Sequence, residues 1–496
     1  MVEMGRGAAM SLLAARGPQR PAVRCEGTVV TRAELDRRAN QLARAYASFG
    51  VRHDDLVAIV LPNGIEFYAA TLAVWKLGAT PLPVSWRLPD AELGPIIDVA
   101  DPALVVGIDP TRAPGRATVP PGFVPEPRLD DRPLPAAVAR YGRALTSGGS
   151  TGRPKVIVSH EPSVIDPDAP ALGMRADGVH LVPGPLFHNA PFTTSLTGLL
   201  HGATLVVMTR FDPSEALALI ERHRVTWVQV VPTMLARIWR LPEAERAGRD
   251  LSSLQVVFST GGAFPAWLKE AWSDWIGDDR IVEIYGSSEA YGSTVVTGAE
   301  ARRKPGTVGR PRFGPPRVLD PDDPTGPPLG PNQVGLLAFA RPAEPTYHYL
   351  GAEPIVYNGW ETLGDIGYVD EDGYVFLVDR RVDMIVTGGE NVFPAEVEQA
   401  LERHPSVRTA VVIGLPDDDL GQRLHAIVDV GHDWTDGPAV DEPGLRVYLH
   451  EQLDRYKVPR TFEFVTEPLR SDAGKVRRSQ LRDERVTAVR PPARPA

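Results

Sequence analysis

The sequence is poor in cysteine, in lysine and in net positive charge. One cysteine, Cys25, among 496 residues excludes a disulfide framework and any zinc or iron–sulfur site built on thiolates, and it fits a reducing compartment. The 53 basic residues are outnumbered by 63 acidic ones, a net charge of −10, which argues against a surface devoted to nucleic acid or anionic membrane. A phosphate-bearing ligand must therefore be held locally. Apolar runs are short: stretches such as Leu56 to Leu61 fall far below the roughly 18 residues that span a bilayer. Residues 1–20 carry Glu3 and only a weak apolar run from Ala8 to Ala15, a poor secretory leader. The expectation is a cytoplasmic chain with no membrane span and a frayed N-terminus. Only six residues are lysine (Lys76, Lys155, Lys269, Lys304, Lys457 and Lys475), so each position is informative.

What remains is an ordinary globular balance, 43% hydrophobic and 23% charged, sufficient to bury a sizeable core. At roughly 150 residues per domain the length implies about three domains, or one large α/β body with an appendage. The 46 glycines and 49 prolines exceed the usual share without reaching low-complexity proportions. Many loops are therefore ordered, and ordered loops carry chemistry.

Thr31 and Glu34 form a capping-box pattern ahead of Leu35, Ala39, Leu42, Ala43 and Tyr46, which predicts an amphipathic helix ending at Gly50. Leu56 to Leu61 reads as a buried strand, Asn63 and Glu66 as the cap of a helix ending at Gly78, and Thr80 to Val84 as the next strand. The β-α-β pattern returns with strand Thr204 to Met208, a helix opened by Asp212 and Pro213, and strand Trp227 to Val231. Strands Gln255 to Phe258 and Ile281 to Ile284 each run into a glycine-containing loop. In open α/β sheets ligands sit beyond the carboxyl ends of the strands, so function is expected at these loops. Residues 311–332 read as a surface excursion. A change of composition places a domain boundary near residue 380, with a helix near Pro394 and strands near Ala410 to Ile413 and His425 to Val430 beyond it. The last dozen residues are expected to be disordered.

Residues 146–155 read Thr-Ser-Gly-Gly-Ser-Thr-Gly-Arg-Pro-Lys. Three glycines let the backbone turn its N–H groups towards an anion, hydroxyls add donors, and Lys155 supplies a positive charge, together a phosphate cradle. It is not a Walker A loop, which needs Gly-Lys adjacent and a helix behind it. Gly148 to Gly152 also matches the G-x-S-x-G elbow of serine hydrolases with Ser150 as nucleophile, but an elbow needs a helix after the serine, and Pro154 followed by Val156, Ile157 and Val158 opposes one.

The stretch from Ser147 to Lys155 resembles the phosphate loop of the AMP-forming adenylating enzymes, the superfamily of acyl- and aryl-CoA synthetases, adenylation domains and luciferases. Further segments resemble the same superfamily in order: Tyr285-Gly286-Ser287-Ser288-Glu289, Thr362 to Gly367 around Asp365, residues 380–398 as hinge and Gly-Gly-Glu-Asn loop, and Gly474-Lys475 near the end. The resemblance runs from about residue 20 to residue 482. It implies an α/β fold: a large N-terminal body of α/β subdomains, residues 1–380, and a small mobile α+β C-terminal domain, residues 381–496, carrying a catalytic lysine.

The resemblance also implies roles. Ser147, Gly148, Gly149, Ser150, Thr151, Gly152 and Lys155 would hold the ATP phosphates. Gly261, Gly262 and Ala263 would admit the adenine, with Tyr285, Gly286 and Ser288 beside it. Asp365 and Arg380 would take the ribose. Glu289 would bind Mg²⁺, Lys475 would bridge the acid and the α-phosphate, and His188 would gate a pocket lined by Phe192, Val230, Phe258 and Thr260 and suited to an aryl or medium acyl acid. Gly388, Gly389, Asn391 and Lys457 would line a channel for CoA, the thiol that accepts the acyl group. Lys269 and Lys304 read as solvated surface residues. Departures from the family pattern at Val382, Gly335-Leu336 and Asp379 leave the thioester step open. The alternatives are loading of a carrier protein, activation of another oxyanion such as nitrite for diazotisation of an arylamine, and a nucleotide-binding pseudoenzyme, which intact Lys155, Glu289, Asp365 and Lys475 oppose. No nucleic-acid partner is expected, and a homodimer is left open.

Overall fold

The computed structural model describes residues 3–147, 154–262, 264–380, 383–387, 390–417, 419–431, 441–471 and 474–489. The chain divides into two compact units, Met1–Pro305 with Arg341–Pro354, and Gly306–Ala340 with Ile355–Ala496.

The first unit is built on a sheet ordered Thr294–Thr297, Ile281–Tyr285, Val256–Ser259, Trp227–Val230, Val179–Val182, Thr204–Val207, Pro21–Cys25 and Thr28–Thr31. All neighbours are parallel except the outermost pair at each end. Parallel strands covered on both faces must be apolar on both, and Thr204–Val207 (Thr-Leu-Val-Val) is. One face packs Leu181, Val206, Val228, Val230 and Val257 with Leu217, Leu235 and Trp272 from helices Pro213–His223, Pro232–Trp239 and Ala266–Ile276. The other core joins Val182, Leu205 and Val207 to helices Arg32–Ser48, Ile65–Lys76 and Asn189–Leu200. A second parallel sheet, Thr80–Pro83, Leu56–Ile59, Leu104–Val106 and Thr118–Val119, contains the expected β-α-β unit. A third, antiparallel, joins Tyr347–Leu350, Lys155–Ser159 and Ala144–Ser147.

In the second unit, strands Arg317–Leu319, Gly335–Ala340, Trp360–Val369, Val375–Arg380 and Thr307–Pro311 form one antiparallel sheet. Strands Thr409–Asp417, Gly421–Asp429 and Thr461–Val465 form a mixed sheet, the first pair antiparallel and the second parallel, packed with helices Pro394–Glu402 and Glu442–Gln452 around Val397, Leu401, Leu445 and Leu449.

Several expectations are corrected. The two compact units divide near residue 305, with Arg341–Pro354 returning to the first, and two ties cross the boundary expected near residue 380. The Asp379 carboxylate accepts a 2.8 Å hydrogen bond from the Ala395 N–H in the first turn of helix Pro394–Glu402, and Phe393 packs against the cluster of Leu319, Leu336, Ala338 and Ile366. The N-terminus is not frayed: helix Arg6–Arg16 buries Ala9, Met10, Leu13 and Ala14, and a Cβ on Gly7 would stand 2.8 Å from the backbone nitrogen of Lys76. Its small apolar residues give little contrast along the sequence. The excursion at 311–332 includes strand Arg317–Leu319. Helix Arg478–Val489 runs into the last dozen residues, where Arg485 makes a two-pronged ion pair with Glu463 at 2.6 and 2.7 Å. Lys269 is not solvated: it is buried and hydrogen-bonded to the equally buried Glu283.

The Thr31–Glu34 capping box forms as predicted. Asn63 caps no helix; helix Ile65–Lys76 starts after Gly64 without a side-chain cap. The Asn63 amide instead donates to the carbonyls of Gly184 and Met208, at 2.8 and 3.0 Å, and accepts from the Leu186 N–H at 2.8 Å. It therefore fixes the loop that leads to His188.

Candidate active site

Strands Ala144–Ser147 and Lys155–Ser159 are antiparallel, with Ser147 opposite Lys155, so residues 148–154 connect the two arms of a hairpin. Gly148, Gly149, Ser150, Thr151 and Gly152 themselves lie outside the described residues, as does the Ser147 side chain. The strand that follows, in place of a helix, removes the hydrolase elbow.

The hairpin's third strand, Tyr347–Leu350, pairs Tyr349 with Ile157. Lys155 is two residues from Ile157 and so points to the same face, diagonal to Tyr349. The Lys155 Nζ accordingly sits 4.2 Å from the centre of the Tyr349 ring, a cation–π geometry. It is also 3.9 Å from Oε1 of Glu289, and the Tyr349 hydroxyl donates a 2.6 Å hydrogen bond to that same oxygen. Burial, reinforced by the Glu289 carboxylate, pushes the Tyr349 hydroxyl above the ordinary tyrosine range, so it stays protonated as a donor. The Thr346 hydroxyl donates to the Glu289 carbonyl at 3.1 Å.

Glu289 is only 6% exposed, yet it opens no helix: Ala290, the next residue, is left-handed at φ 61°, and the chain then turns into strand Thr294–Thr297. A non-glycine residue held there costs backbone energy, and such strain gathers at functional sites. Among the described residues no group of three or more His, Cys, Asp or Glu could hold a metal ion. One buried carboxylate beside the Lys155 ammonium fits Mg²⁺, which takes one or two carboxylates and completes its shell with phosphate oxygens and water. Neither Tyr349 nor Thr346 stands in a recognisable motif; the strand register alone brings them to Glu289.

The glycine loop after strand Val256–Ser259 contains Gly261 at φ 87°, a value that suits glycine, and Gly262. Ala263 lies outside the described residues. Tyr285 ends strand Ile281–Tyr285, with Gly286 and Ser288 following it towards Glu289.

His188 precedes helix Asn189–Leu200 at its N-cap, half-buried against Phe187 at 4.6 Å between ring centres. Phe258 stacks on Trp227 at 5.5 Å. Parallel register sets Gln229 opposite Phe258 and Val230 opposite Ser259. Strand alternation therefore turns Val230 away, into the core with Met234 and Leu235. Phe192 is fully buried, edge-on to Phe67 and Trp75, both at 6.1 Å. Two expected pocket residues are thus core residues. Between helix Asn189–Leu200 and the sheet, His180, Pro191, Thr194, Ser195, Trp227 and Gln229 pack closely together. Burial holds the His180 imidazole down at about 4, so it is neutral at pH 7. Thr260 donates its backbone N–H to the Val230 carbonyl at 3.2 Å.

In the second unit Asp365 is buried on strand Trp360–Val369, its backbone opposite Arg380; the side chain of Arg380 lies outside the described residues. Lys475 is exposed in a tight turn. Its N–H donates to the Ser471 hydroxyl at 3.2 Å, its carbonyl accepts from the Ser471 N–H at 2.9 Å, and Gly474 before it has φ 74°. Three residues on, the Arg478 guanidinium bonds Asp383 and both carboxylate oxygens of Glu398, each at 2.8 Å. Arg470 adds a 3.1 Å bond to Glu398. Sequence reading missed this anchor. Lys457 pairs with Glu396 at 2.8 Å. Asn391 lies opposite Val386 in the hairpin of Ile385–Thr387 and Glu390–Val392, its side chain undescribed; Val382, Gly388 and Gly389 lie outside the described residues.

Comparison with known proteins agrees in extent. The family described as AMP-binding enzyme matches residues 12–137 and 144–345, and its C-terminal domain matches residues 396–475. A feruloyl-CoA synthase of Amycolatopsis sp is 33% identical over 486 residues, 94% of this chain and 96% of that one. The fatty acid–[acyl-carrier-protein] ligase ScoC of Streptomyces coeruleorubidus is 32% identical, covering 94% and 93%. Among solved structures, o-succinylbenzoate CoA synthetase (MenE) from Bacillus subtilis, in complex with the acyl-adenylate intermediate OSB-AMP, superimposes with a TM-score of 0.78 at 26% identity, over 97% of this chain and 99% of that one; the same enzyme is solved with ATP and a magnesium ion. With both family domains matched in order along the chain, this protein belongs to the AMP-binding enzymes.

Proposed function

We propose that this chain is an ATP-dependent, AMP-forming acid–thiol ligase. In the first step an oxygen of the acid attacks the α-phosphorus, the bond to the bridging oxygen breaks, and pyrophosphate leaves with that electron pair. In the second the thiolate of CoA attacks the acyl carbon and AMP departs. The observation that carries the reading is the buried Glu289 carboxylate beside Lys155 at the end of the glycine-rich hairpin, in a chain that matches the AMP-binding family over most of its length.

ATP brings about four negative charges and the acid one more, so attack requires neutralisation. Lys155 is assigned to the departing phosphates, and Glu289 would hold Mg²⁺, which supplies charge neutralisation at the phosphate oxygens when bound. Asp365 is the carboxylate assigned to the ribose hydroxyls. Lys475 is the cation assigned to the acid and the α-phosphate, two anions that must be held at attack distance. The stacked Trp227 and Phe258, with Gln229 on the same face of the sheet, favour an aryl or medium acyl acid. The relative named for a fatty acid and an acyl-carrier protein supports a carrier protein as the second choice of acceptor.

The test is product analysis by mass spectrometry with ATP, Mg²⁺ and a panel of aryl and acyl acids plus nitrite, offered CoA, a carrier protein or an arylamine. AMP, pyrophosphate and an acyl-CoA are expected. ADP as product overturns the reading, and AMP that responds only to nitrite with an arylamine overturns the thioester step.

A further inference from the structure

We infer that Tyr349 is a positioning residue that sets both charged groups of the nucleotide site through two different parts of one side chain; the inference rests on the proposed adenylation reaction. Its hydroxyl donates to Oε1 of Glu289 at 2.6 Å, and its ring face carries the Lys155 ammonium at 4.2 Å. Without this residue the two groups have opposite failings. Lys155 and Glu289, 3.9 Å apart, attract one another and can collapse into a direct ion pair that occupies the carboxylate needed by a metal and the ammonium needed by a phosphate. A hydroxyl on Oε1 satisfies that oxygen with a neutral donor, and the ring supplies Lys155 with a soft, easily surrendered partner in place of a second carboxylate.

The support beneath Tyr349 is rigid. Backbone pairing sets Tyr349 opposite Ile157 and Leu350 opposite Val156, so a one-residue slip of strand Tyr347–Leu350 would turn the ring to the other face. Tyr347, two residues before it, packs edge-on to the Tyr349 ring at 4.8 Å and stacks in parallel on Tyr291 at 6.0 Å. The Thr346 hydroxyl holds the Glu289 carbonyl from the same strand entry. One strand thus orients the Glu289 backbone, the Glu289 carboxylate and the Lys155 side chain.

The two handles separate by substitution. Tyr349→Phe keeps the ring and removes the hydroxyl; Tyr349→Leu removes both. Each full-length variant is titrated with Mn²⁺, followed by electron paramagnetic resonance in the presence of α,β-methylene-ATP, and separately with that nucleotide alone in EDTA. Tyr349→Phe is expected to raise the Mn²⁺ half-saturation about tenfold, the scale of one hydrogen bond to a charged group, with metal-free nucleotide affinity within twofold of wild type. Tyr349→Leu is expected to weaken both by about tenfold. Thermal melting of each variant establishes folding; if Tyr349→Leu fails to fold, the metal–nucleotide split in Tyr349→Phe decides alone. A Tyr349→Phe protein with unchanged Mn²⁺ half-saturation, or with both affinities weakened equally, overturns the role. A wild-type protein that binds no metal–nucleotide overturns the proposed reaction and this role with it.

Discussion

The two units hold their proposed reactive groups in opposite ways. In the first, Glu289 is buried, Lys155 is mostly covered, and both are fixed by neighbouring strands of a three-stranded sheet. In the second, Lys475 stands exposed on a tight turn, and what is buried is its anchor: Glu398, 3% exposed, with Arg478 and Arg470 closing on it. The contrast follows from what each group must do. A charge that receives a polyanion works best when its partners are prearranged and little reorganises on binding. A charge that must reach a reacting centre needs an accessible end on a firm base.

Breaking the contrast at its exposed end should have the largest effect. Lys475→Ala is expected to lower adenylation by about a thousandfold or more while nucleotide affinity stays within about threefold, because the ammonium is assigned to the transferring centre rather than to binding; pyrophosphate exchange and nucleotide titration check the split. Glu289→Gln, at the buried end, is expected to lower the rate about a hundredfold and to raise the Mg²⁺ requirement together with it, read from initial rates across a Mg²⁺ series. Arg478→Met tests the anchor. It leaves Glu398 with Arg470 and the Val412 N–H and should destabilise the second unit by about 3 kcal/mol, seen in denaturant melts, while nucleotide affinity of the folded protein is unchanged. Thr31→Ala, remote from both, removes the capping box and should cost about 1 kcal/mol with kcat unaltered.

The same contrast explains what could be read from the sequence. Loops at strand ends are contiguous, so the glycine-rich stretch at 146–155, the Tyr-Gly-Ser-Ser-Glu segment and Gly474-Lys475 were visible as patterns. The apolar runs of the parallel strands were visible for the same reason. What stayed hidden depends on register between distant segments: Tyr349 reaches Glu289 only because its strand pairs with Lys155–Ser159. Asn63 looked like a helix cap because its hydrogen bonds to the loop before His188 cross more than a hundred residues. Val230 was placed in the pocket by nearness in sequence, although alternation along its strand gives that face to Gln229. The boundary expected at residue 380 followed composition, whereas the Asp379 bond to the start of helix Pro394–Glu402 is invisible to composition.

The most direct measurement is incorporation of labelled pyrophosphate into ATP by the wild-type protein, with Mg²⁺ and with or without a carboxylic acid, no acceptor being added. Exchange is expected to depend on the acid and to be abolished in Lys475→Ala, which still binds nucleotide. Exchange that proceeds equally without any acid, or that survives in Lys475→Ala, would contradict the proposed adenylation.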